Sequence, residues 1–435
     1  MPSLLLCSTS AHGHVAPLLP IARELVRTGF RVRFLTGSAF RGAVERTGAE
    51  FHPLPEPADI DDTDLNGRFP GRAELSGAAL MKHDLTEIFL APAGAQLAAV
   101  RAAVAAEPTD AVLTEPLFLG GCAFLLGRSG TDPRVLVAGT LPLSLSSRDT
   151  APFGLGLPPW PRPVNRLRNA LLRLVAEKII FGSVQQLSDA RMRELTGRGL
   201  PGFLMNWPAW ADAVVQFSVP GFEYPRSDLS DRVHFVGPLS LPTTDSGPLP
   251  EWWPELDRNR PVIVVNQGTV ANDDYDQLIA PALTALRDLD ALVVVTTGGR
   301  PVETLPHPLP PNVRAATFLP FGELLPKANL MITNGGYGGV HAALRHGVPL
   351  VAAGATEDKI EVGARIGYTG VGIDLATNAP TPGQLRRAVD KVLGDPRYAE
   401  AAARIGAEIA AAPGVAAIAE LITGRPAHPE PRPES

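Results

Sequence analysis

The sequence has little cysteine and no excess of positive charge, and each shortage excludes a class of protein. Its 435 residues include two cysteines, Cys7 and Cys122, which both lie in apolar runs. This pattern predicts buried thiols and excludes a disulfide framework or a cysteine-based metal site. The formal net charge of -6 argues against a nucleic-acid partner, because dedicated nucleic-acid binders usually carry a basic excess.

Long hydrophobic runs are also missing. No uninterrupted apolar stretch reaches the roughly 18 residues that a transmembrane helix needs. The N-terminal segment MPSLLLCSTSAHGHV has no basic region ahead of its short apolar run, so a signal peptide is not expected. Hydrophobic residues make up 45% and charged residues 19% of the chain. These features predict a folded cytoplasmic protein without a membrane span.

The length of the chain predicts two domains, because 435 residues exceed what one compact core usually holds. Residues 239–260 are rich in proline and small polar residues and show no periodicity, which predicts a linker. The first domain is therefore predicted over residues 1–238 and the second over 261–424. The last segment, 425–435, has the sequence RPAHPEPRPES and is expected to be a disordered tail.

Both halves alternate short apolar segments with helical patterns. In the first half, SLLLC (3–7) precedes a helical pattern that ends at Gly29, and RVRFLTG (31–37) follows. The second half repeats the style with PVIVVNQGT, ALVVVTTGG, VRAATFLP, LMITNGG and PLVAAG. Apolar strands that alternate with helices predict parallel sheets covered on both faces. The expected fold class is α/β, with two doubly wound Rossmann-like domains whose strand ends face a central cleft. Since ligands bind at such strand ends, a two-substrate enzyme is the first hypothesis.

A glycine-rich turn, NGGYGG (334–339), follows one predicted strand of the second half and precedes a helix. Glycines let backbone N–H groups and a helix N-terminus approach an anion such as a phosphate. NQGT (266–269) and FLPF (318–321) also follow predicted strands. The spacing fits neither the P-loop nor the dinucleotide fingerprint. A tight strand–helix junction without any ligand remains an alternative interpretation.

These motifs together resemble the donor domain of inverting, nucleotide-sugar-dependent glycosyltransferases of family 1, which have the GT-B fold. The similarity is greatest to bacterial macrolide and other natural-product glycosyltransferases. It rests on NGGYGGVHAALRHGVP followed by Glu357-Asp358-Lys359, with the two upstream turns in the expected order, and it covers nearly the whole chain. Three positions depart from the family pattern. Asn334 replaces a phosphate-binding histidine, Ala342 a ribose-binding glutamate, and Lys359 a glutamine.

The resemblance implies a role for each part of the second half. Thr269 and the glycine turn would hold the diphosphate, Phe318 would stack on the base, and Asp358 would bind hydroxyls of the transferred sugar. The donor would be a UDP- or dTDP-sugar. No metal or other cofactor is expected, because backbone amides and a helix N-terminus can stabilise the leaving charge. The predicted donor-binding residues are Gly268, Thr269, Phe318, Asn334, Gly335, Gly336, Gly338, Gly339, Asp358 and Lys359.

The first half contains STSAHGHVAP (8–17) directly after its first strand. By the resemblance, His14 is the general base that deprotonates the acceptor hydroxyl. Glu115, in the run DAVLTE, stands where the family has the acidic partner of that base. Histidine suits this role because it exchanges protons near neutral pH. A pair of capping or solvated loop histidines is the alternative interpretation.

Two segments, 56–85 and 141–165, are too long for ordinary connections and are candidates for functional loops. Their apolar side chains suit a hydrophobic small-molecule acceptor. Packing of about half of these side chains into the domain core is an equally good interpretation. The predicted acceptor-binding residues are Phe69, Met81, Phe89, Leu143, Phe153 and Trp160.

Three functions fit these patterns. The first is an inverting glycosyltransferase that acts on a hydroxyl of a lipophilic small molecule such as a polyketide, macrolide or phenolic compound. The second is a non-catalytic helper of the same fold that activates a partner transferase, which Asn334 and Ala342 favour. The third is a nucleotide-sugar epimerase with the same architecture. His14 and Glu115 argue against the helper, which does not need a base and its partner. The sequence makes no prediction of the oligomeric state.

Overall fold

The computed structural model describes most of the chain. The described ranges are residues 1–60, 62–161, 164–239, 249–257, 259–268, 272, 274–356 and 358–424. The predicted disordered tail and part of the predicted linker lie outside them.

The first half of the chain forms a seven-stranded parallel sheet. Its strands are β1 (Ser3–Cys7), β2 (Arg31–Thr36), β3 (Glu50–Pro53), β4 (Ala111–Thr114), β5 (Arg134–Gly139), β6 (Ala213–Gln216) and β7 (Val233–Phe235). Their order across the sheet is β3-β2-β1-β4-β5-β6-β7. The α-helices of this half are α1 (His12–Val15), α2 (Leu19–Arg27), α3 (Arg41–Glu45), α4 (Leu65–Arg68), α5 (Gly77–His83), α6 (Ala93–Ala106), α7 (Leu119–Gly127), α8 (Val164–Leu174) and α9 (Gly182–Thr196).

The second half forms a six-stranded parallel sheet. Its strands are β8 (Val262–Asn266), β9 (Leu292–Thr296), β10 (Val313–Ala316), β11 (Leu330–Thr333), β12 (Leu350–Ala352) and β13 (Gly372–Asp374). Their order is β10-β9-β8-β11-β12-β13. The α-helices are α10 (Ile279–Leu286), α11 (Phe321–Leu324), α12 (Tyr337–Arg345), α13 (Lys359–Thr369), α14 (Pro382–Gly394), α15 (Pro396–Ala411) and α16 (Val415–Thr423).

Shorter helical segments connect these elements. Two π-helical segments, Asp84–Leu90 and Val175–Ile180, continue α5 and α8. The 3₁₀ turns are Ala16–Leu18, Ser38–Phe40, Asp62–Asp64, Arg72–Glu74, Leu204–Trp210, Pro220–Phe222, Trp253–Asp257, Tyr275–Gln277, Val302–Thr304 and Leu325–Lys327.

Both sheets are covered on their two faces, as the continuous apolar strands predict. In β1, Leu5 packs into one buried cluster and Leu6 into the cluster on the opposite face. The predicted glycine at the end of the first long helix is also present, since Gly29 follows α2 with φ +90. The predicted α/β class with two doubly wound domains is confirmed.

The sequence patterns do not predict several of the observed elements. The sequence EFHP of β3 mixes polar and apolar residues, and β13 is only three residues long, so neither gives a clear strand signal. The predicted loop 56–85 is partly helical, because α4 and α5 lie within it. Residues 141–161 contain no helix or strand, in line with the prediction for the second long loop.

The last helix leaves the second half of the chain and returns to the first. Ile418 and Ile422 of α16 are buried in the core cluster that contains β1 and α2. By packing, α16 therefore lies with the first sheet, although the predicted second domain ran to residue 424. The exact domain bounds stay a prediction.

One helical run, Gly77–Ala106, is long and apolar enough to cross a membrane, and the bent pair Pro396–Ala411 and Val415–Thr423 passes the same test together. Polar and charged residues interrupt this run, so the sequence shows no uninterrupted apolar stretch of roughly 18 residues here. In its most apolar window, 44% of the residues lie buried inside the protein. Core helices of soluble proteins have the same length and composition, so this is weak evidence for a span. The cytoplasmic location stays a prediction.

Candidate active site

The first part of the site lies where β1 and β4 end. These strands are hydrogen-bonded neighbours, with Cys7 opposite Thr114. The residues that follow them, Thr9 and Glu115, therefore emerge at the same edge of the sheet. The next turn begins α1, which carries His14. Parallel pairing of two adjacent strands thus brings together residues that are 101 positions apart in the chain by their numbers, His14 and Glu115.

The Glu115 side chain is completely buried. Its Oε1 accepts hydrogen bonds from the backbone N–H of Thr9 at 3.1 Å and from the Thr9 hydroxyl at 2.7 Å. Its Oε2 accepts the backbone N–H of Leu117 at 2.6 Å. A buried carboxylate needs such donors to stay ionised. They also fix the orientation of Oε2, which is the oxygen that faces His14.

Nδ1 of His14 lies 3.1 Å from Oε2 of Glu115. The contact is short, but the ring nitrogen is not aligned for a linear hydrogen bond. A small rotation of the imidazole would make it one, and apo enzymes often show such loose alignment. The side chain of His14 remains 20% exposed. The ring of Phe89 lies beside it, with the ring centres 5.8 Å apart. Nδ1 is thus directed to Glu115, which leaves Nε2 as the nitrogen for a substrate proton.

Neighbouring charges shift the pKa values of His14 and Glu115. Burial lowers the pKa of His14, but Glu115 outweighs it by charge and hydrogen bonding, and the carboxylates of Asp62 and Asp358 add to the effect, so the pKa is raised. Burial raises the pKa of Glu115, but His14, Thr9 and the Leu117 amide lower it below its ordinary value. Asp358, a predicted donor residue in the second half of the chain, is thus among the charges that act on His14.

We expect Glu115→Gln to move the acidic limb of the pH–rate profile to lower pH. A general base must be neutral, so activity falls as the pH drops through the pKa of His14. The negative charge of Glu115 raises that pKa, and its removal therefore lowers it. The measurement is kcat/KM from pH 5 to 9, with Asp374→Asn as a control carboxylate outside this pair. An unmoved limb, or one displaced to higher pH, contradicts the pairing.

The second part of the site lies along the carboxyl edge of the second sheet. The predicted donor residues follow the strands in spatial order, with Phe318 after β10, Gly268 after β8, Asn334 after β11 and Asp358 after β12. Adjacent strands are about 4.8 Å apart, so the ends of β10 and β12 lie roughly 19 Å apart. The residue predicted to contact the base and the one predicted to contact the sugar therefore mark opposite ends of a groove. The glycine turn and Gly268 lie between them.

A small pocket opens in this groove near β11 and β12. Two predicted donor residues, Asn334 and Lys359, line it. Four further polar residues also line it. Gln267 belongs to the predicted turn NQGT, whereas the sequence did not indicate Gln277, Thr356 and Asn378. Asn378 follows β13, the short strand that the patterns missed, so no signal in the sequence placed it here.

The glycine turn has the geometry of an open anion site. Gly335 has φ +87, which favours glycine, and Gly336 is the residue before the first turn of α12. A side chain added at Gly338 would meet nothing within 4 Å. The first amides of a helix have no carbonyl partner within it. The N-terminus of α12, including Gly338 and Gly339, is therefore accessible to an anionic ligand.

Asn334 connects this turn to the loop after β8. Its Nδ2 donates to the backbone oxygen of Gln267, and its Oδ1 accepts the N–H of Gly336 at 3.3 Å. A side chain at Gly268 would approach the Asn334 amide to 3.0 Å. Asn334 thus holds the two predicted phosphate loops together. Thr269, the predicted hydroxyl donor of the second loop, lies outside the described residues.

Phe318 stands at the far end of the groove and is 65% exposed. A side chain added at Gly299 would come within 3.2 Å of its ring, so one part of the ring packs against the turn after β9. The exposed remainder is available for stacking. The position fits the predicted contact with a base, which stays a prediction.

The predicted acceptor residues have different neighbours. Phe89 contacts His14, and Phe69 packs edge-on against His83 with the ring centres 6.1 Å apart. Trp160 is 52% exposed and is stacked by the Arg168 guanidinium. Of these, Phe89 is the residue in contact with the predicted base.

The remaining three predicted acceptor residues differ in burial. Met81 is exposed and Phe153 is half-buried. Leu143 is only 3% exposed and packs with Leu145 and Val214, which agrees with the alternative of core packing. It also lines a second small pocket.

Histidine 341 does not replace the family's ribose-binding glutamate. Its ring is buried between Phe222 and Tyr337, and its Nε2 lies 3.0 Å from the Ser218 hydroxyl. Burial lowers the pKa of His341 to about 4. It therefore joins the two domains as a neutral residue, facing away from the groove.

Among the residues that the structure describes, no group of three or more His, Cys, Asp or Glu side chains could hold a metal ion. The independence from metal that the sequence predicts stays a prediction, which the experiment below tests.

Comparisons with known proteins agree with this geometry. The family described as "Erythromycin biosynthesis protein CIII-like, C-terminal domain" matches residues 280–423. The chain is 41% identical to 4'-demethylrebeccamycin synthase of Lentzea aerocolonigenes over 423 residues, which cover 97% of this chain and 99% of that protein. It is 36% identical to UDP-glycosyltransferase 2 of Phaeomoniella chlamydospora, with 97% and 95% of the two chains covered.

Solved structures show the same fold. The glycotransferase of kitacinnamycin matches with a TM-score of 0.74 at 21% identity, over 98% of this chain and 99% of that one. The calicheamicin glycosyltransferase CalG4 matches with a TM-score of 0.72 at 20% identity, over 98% of both chains. The predicted GT-B architecture is therefore confirmed.

Proposed function

The chain belongs to the natural-product glycosyltransferases of family 1, and on that premise we propose that it transfers a hexose, with inversion, from a UDP- or dTDP-sugar to a hydroxyl of a lipophilic small molecule. The observation that carries the proposal is the short contact between Nδ1 of His14 and the buried Oε2 of Glu115. The relatives are named as a synthase and as glycosyltransferases, so no comparison favours the helper interpretation.

The reaction follows from the placement of the two sites. Nε2 of His14 takes the proton of the acceptor hydroxyl while the acceptor oxygen forms a bond to the anomeric carbon. The bond from that carbon to the diphosphate breaks on the opposite face, and its electron pair leaves with the diphosphate. Such a displacement inverts the configuration and requires base, nucleophile and carbon nearly in line. Glu115 holds the tautomer and stabilises the imidazolium that forms.

The donor groove contains groups that would bind the leaving diphosphate. The amides at the N-terminus of α12, near Gly338, would receive the diphosphate charge, where the helix dipole also favours an anion. Asp358, at the start of α13, would accept hydrogen bonds from hydroxyls of the sugar. Lys359 lines the same pocket as Asn334 and supplies a positive charge. Several relatives are named UDP-glycosyltransferases or UDP-glucosyltransferases, which makes UDP-hexoses the first donors to test.

The acceptor side is apolar. Phe89 flanks His14, and Leu155 and Trp160 in the long loop are both partly exposed. One relative makes 4'-demethylrebeccamycin and another transfers mycarose to demethyllactenocin, according to their names. A polyketide, macrolide or phenolic compound with a free hydroxyl is therefore the proposed acceptor class.

The proposal is tested by incubating the protein with UDP- and dTDP-hexoses and a panel of such acceptors, followed by mass spectrometry. A product heavier than the acceptor by one hexose residue, with release of an equal amount of nucleoside diphosphate, is expected. Epimerised nucleotide sugar without a glycosylated product would support the epimerase instead. Activity that appears only after a second transferase is added would support the helper.

We expect transfer to persist after exhaustive treatment with EDTA. Backbone amides at a helix N-terminus can stabilise the leaving charge. The measurement compares initial rates in EDTA, in magnesium and in manganese. Complete loss in EDTA that either metal restores would show that the reaction depends on a metal.

A further inference from the structure

We propose that Glu361 is a positioning residue that holds the long loop of the first domain against the donor helix α13, and that this contact sets the affinity for the acceptor. The proposal rests on the proposed function and identifies a determinant of its acceptor site. The loop in question, here called the bridging loop, comprises residues 141–160. Glu361 lies three residues after Asp358, so the two side chains are neighbours on the first turn of α13.

Glu361 makes all its contacts inside the protein, since it is 4% exposed. Its Oε1 accepts the backbone N–H groups of Gly154 and Gly156 at 2.8 and 2.9 Å. Its Oε2 accepts from Nη1 of Arg365 at 2.8 Å. A buried carboxylate is stable only with such partners. Two of its three partners belong to the bridging loop, so the loop supplies most of the hydrogen bonds that this buried carboxylate accepts.

The bridging loop is built for this contact. Gly154 and Gly156 have φ +95 and +60, conformations that side chains rarely adopt. A side chain at Gly156 would come within 2.6 Å of Cγ1 and 3.0 Å of the backbone oxygen of Ile360. Only glycine therefore lets the loop lie on α13 at this point. Leu155, between the two glycines, is partly exposed.

A second carboxylate holds the start of the same loop. Oε1 of Glu223 accepts the N–H of Leu143 at 3.0 Å, and its Oε2 accepts Nε of Arg365 at 2.7 Å. Arg365 is 1% exposed and stacks on Tyr224 at 4.4 Å. Burial lowers the pKa of Arg365, but the two glutamates raise it above its ordinary value. One guanidinium thus joins two carboxylates, and each of these holds the bridging loop at a different point.

The consequence is a fixed distance between the two substrates. Phe153, a predicted acceptor residue, precedes the anchored glycines, and Leu155 lies between them. Asp358, the predicted sugar-binding residue, lies about one helical turn before Glu361. With Glu361 removed, the loop loses two charged hydrogen bonds and its order. The acceptor would then have to order the loop on binding, which lowers its affinity. Free nucleoside diphosphate does not contact this loop in the proposed arrangement, so its affinity should be unaffected.

The test uses Glu361→Ala on one side of the contact and Gly156→Ala on the other. Each should raise the KM of the acceptor at least about tenfold, as loss of a charged hydrogen bond implies, and leave the Kd of the free diphosphate within about twofold. Amide exchange in a peptide spanning residues 150–158 should become at least about tenfold faster. Glu361→Gln keeps an oxygen for the two amides and should recover part of both effects.

Glu408→Ala is the matched control, because this exposed glutamate also accepts a glycine amide, that of Gly221 at 2.8 Å. It should leave the acceptor KM unchanged. The proposal is overturned if the 150–158 peptide stays protected in Glu361→Ala, if acceptor KM is unchanged while the peptide exchanges, or if diphosphate affinity falls equally. If Glu361→Ala does not fold, the Gly156→Ala variant alone tests the proposal. Gly156 lies in a loop, so this substitution does not remove a buried side chain from the core. A parent protein without transfer refutes the proposed function, whereas the exchange data still test the contact.

Discussion

His14→Ala is expected to lower the rate of sugar transfer by about 10²–10⁴, the usual effect of removing a general base, and to leave the affinity for nucleoside diphosphate unchanged. The reason is that Nδ1 of His14 is directed to the buried carboxylate of Glu115, which leaves Nε2 for the acceptor. The diphosphate would lie on the other domain, at the N-terminus of α12. Steady-state rates and calorimetry on the same preparation give the two numbers.

His12→Ala is the matched control, since His12 is an exposed histidine of the same short helix. It should keep the parent rate within about twofold, as most surface substitutions do. A His14→Ala protein that turns over like the parent would exclude His14 as the base. Equal losses in His12→Ala and His14→Ala would show that the effect comes from the loop and not from the imidazole.

The placement of this pair could be predicted because both residues directly follow short apolar strands. SLLLC and AVLT are buried on both faces, and such strands pair in parallel. Once β1 and β4 are neighbours, the residues after them must meet at one edge. Glu115, directly after β4, therefore comes within 3.1 Å of His14.

The contact of Glu361 could not be predicted. In the sequence it is one acid among several in EDKIEVGARIG, with the appearance of a solvated helix residue. Its partners Gly154 and Gly156 lie 207 and 205 residues earlier. Only the packing of the two domains reveals that the side chain is buried. Leu143 was predicted as an acceptor residue, whereas it is almost fully buried against Leu145 and Val214 of its own half.

The donor groove contains some features that the sequence could predict and others that it could not. The glycine turn and the loop after β8 were found from their residues, and Asn334 does join them. The spatial order from Phe318 to Asp358 depends on the strand order, which the motifs alone do not contain. Asn378 was missed because its strand is short. Motif spacing therefore identifies the residues, and sheet topology gives each one its neighbours.

Two substitutions should separate recognition of the diphosphate from recognition of the sugar. Gly338→Val places a branched side chain where the first amides of α12 are open to a phosphate. The added atoms have no neighbour within 4 Å, so the protein should fold and any loss must come from the ligand. Each lost hydrogen bond to a charged group is worth about 1.5–3 kcal/mol, which corresponds to about a tenfold to hundredfold loss of affinity. Both the nucleotide sugar and the free diphosphate should bind more weakly.

Asp358→Ala should act on the sugar alone. Asp358 precedes α13 without capping it through its side chain, so the helix should persist in the variant. We expect a strong fall in kcat/KM for the donor and almost unchanged binding of the free diphosphate. Calorimetry with the free diphosphate on both variants gives the comparison, with Gly367→Val as a control at another open helical glycine. If Asp358→Ala loses the free diphosphate as badly as Gly338→Val does, Asp358 contacts the phosphates and not the sugar.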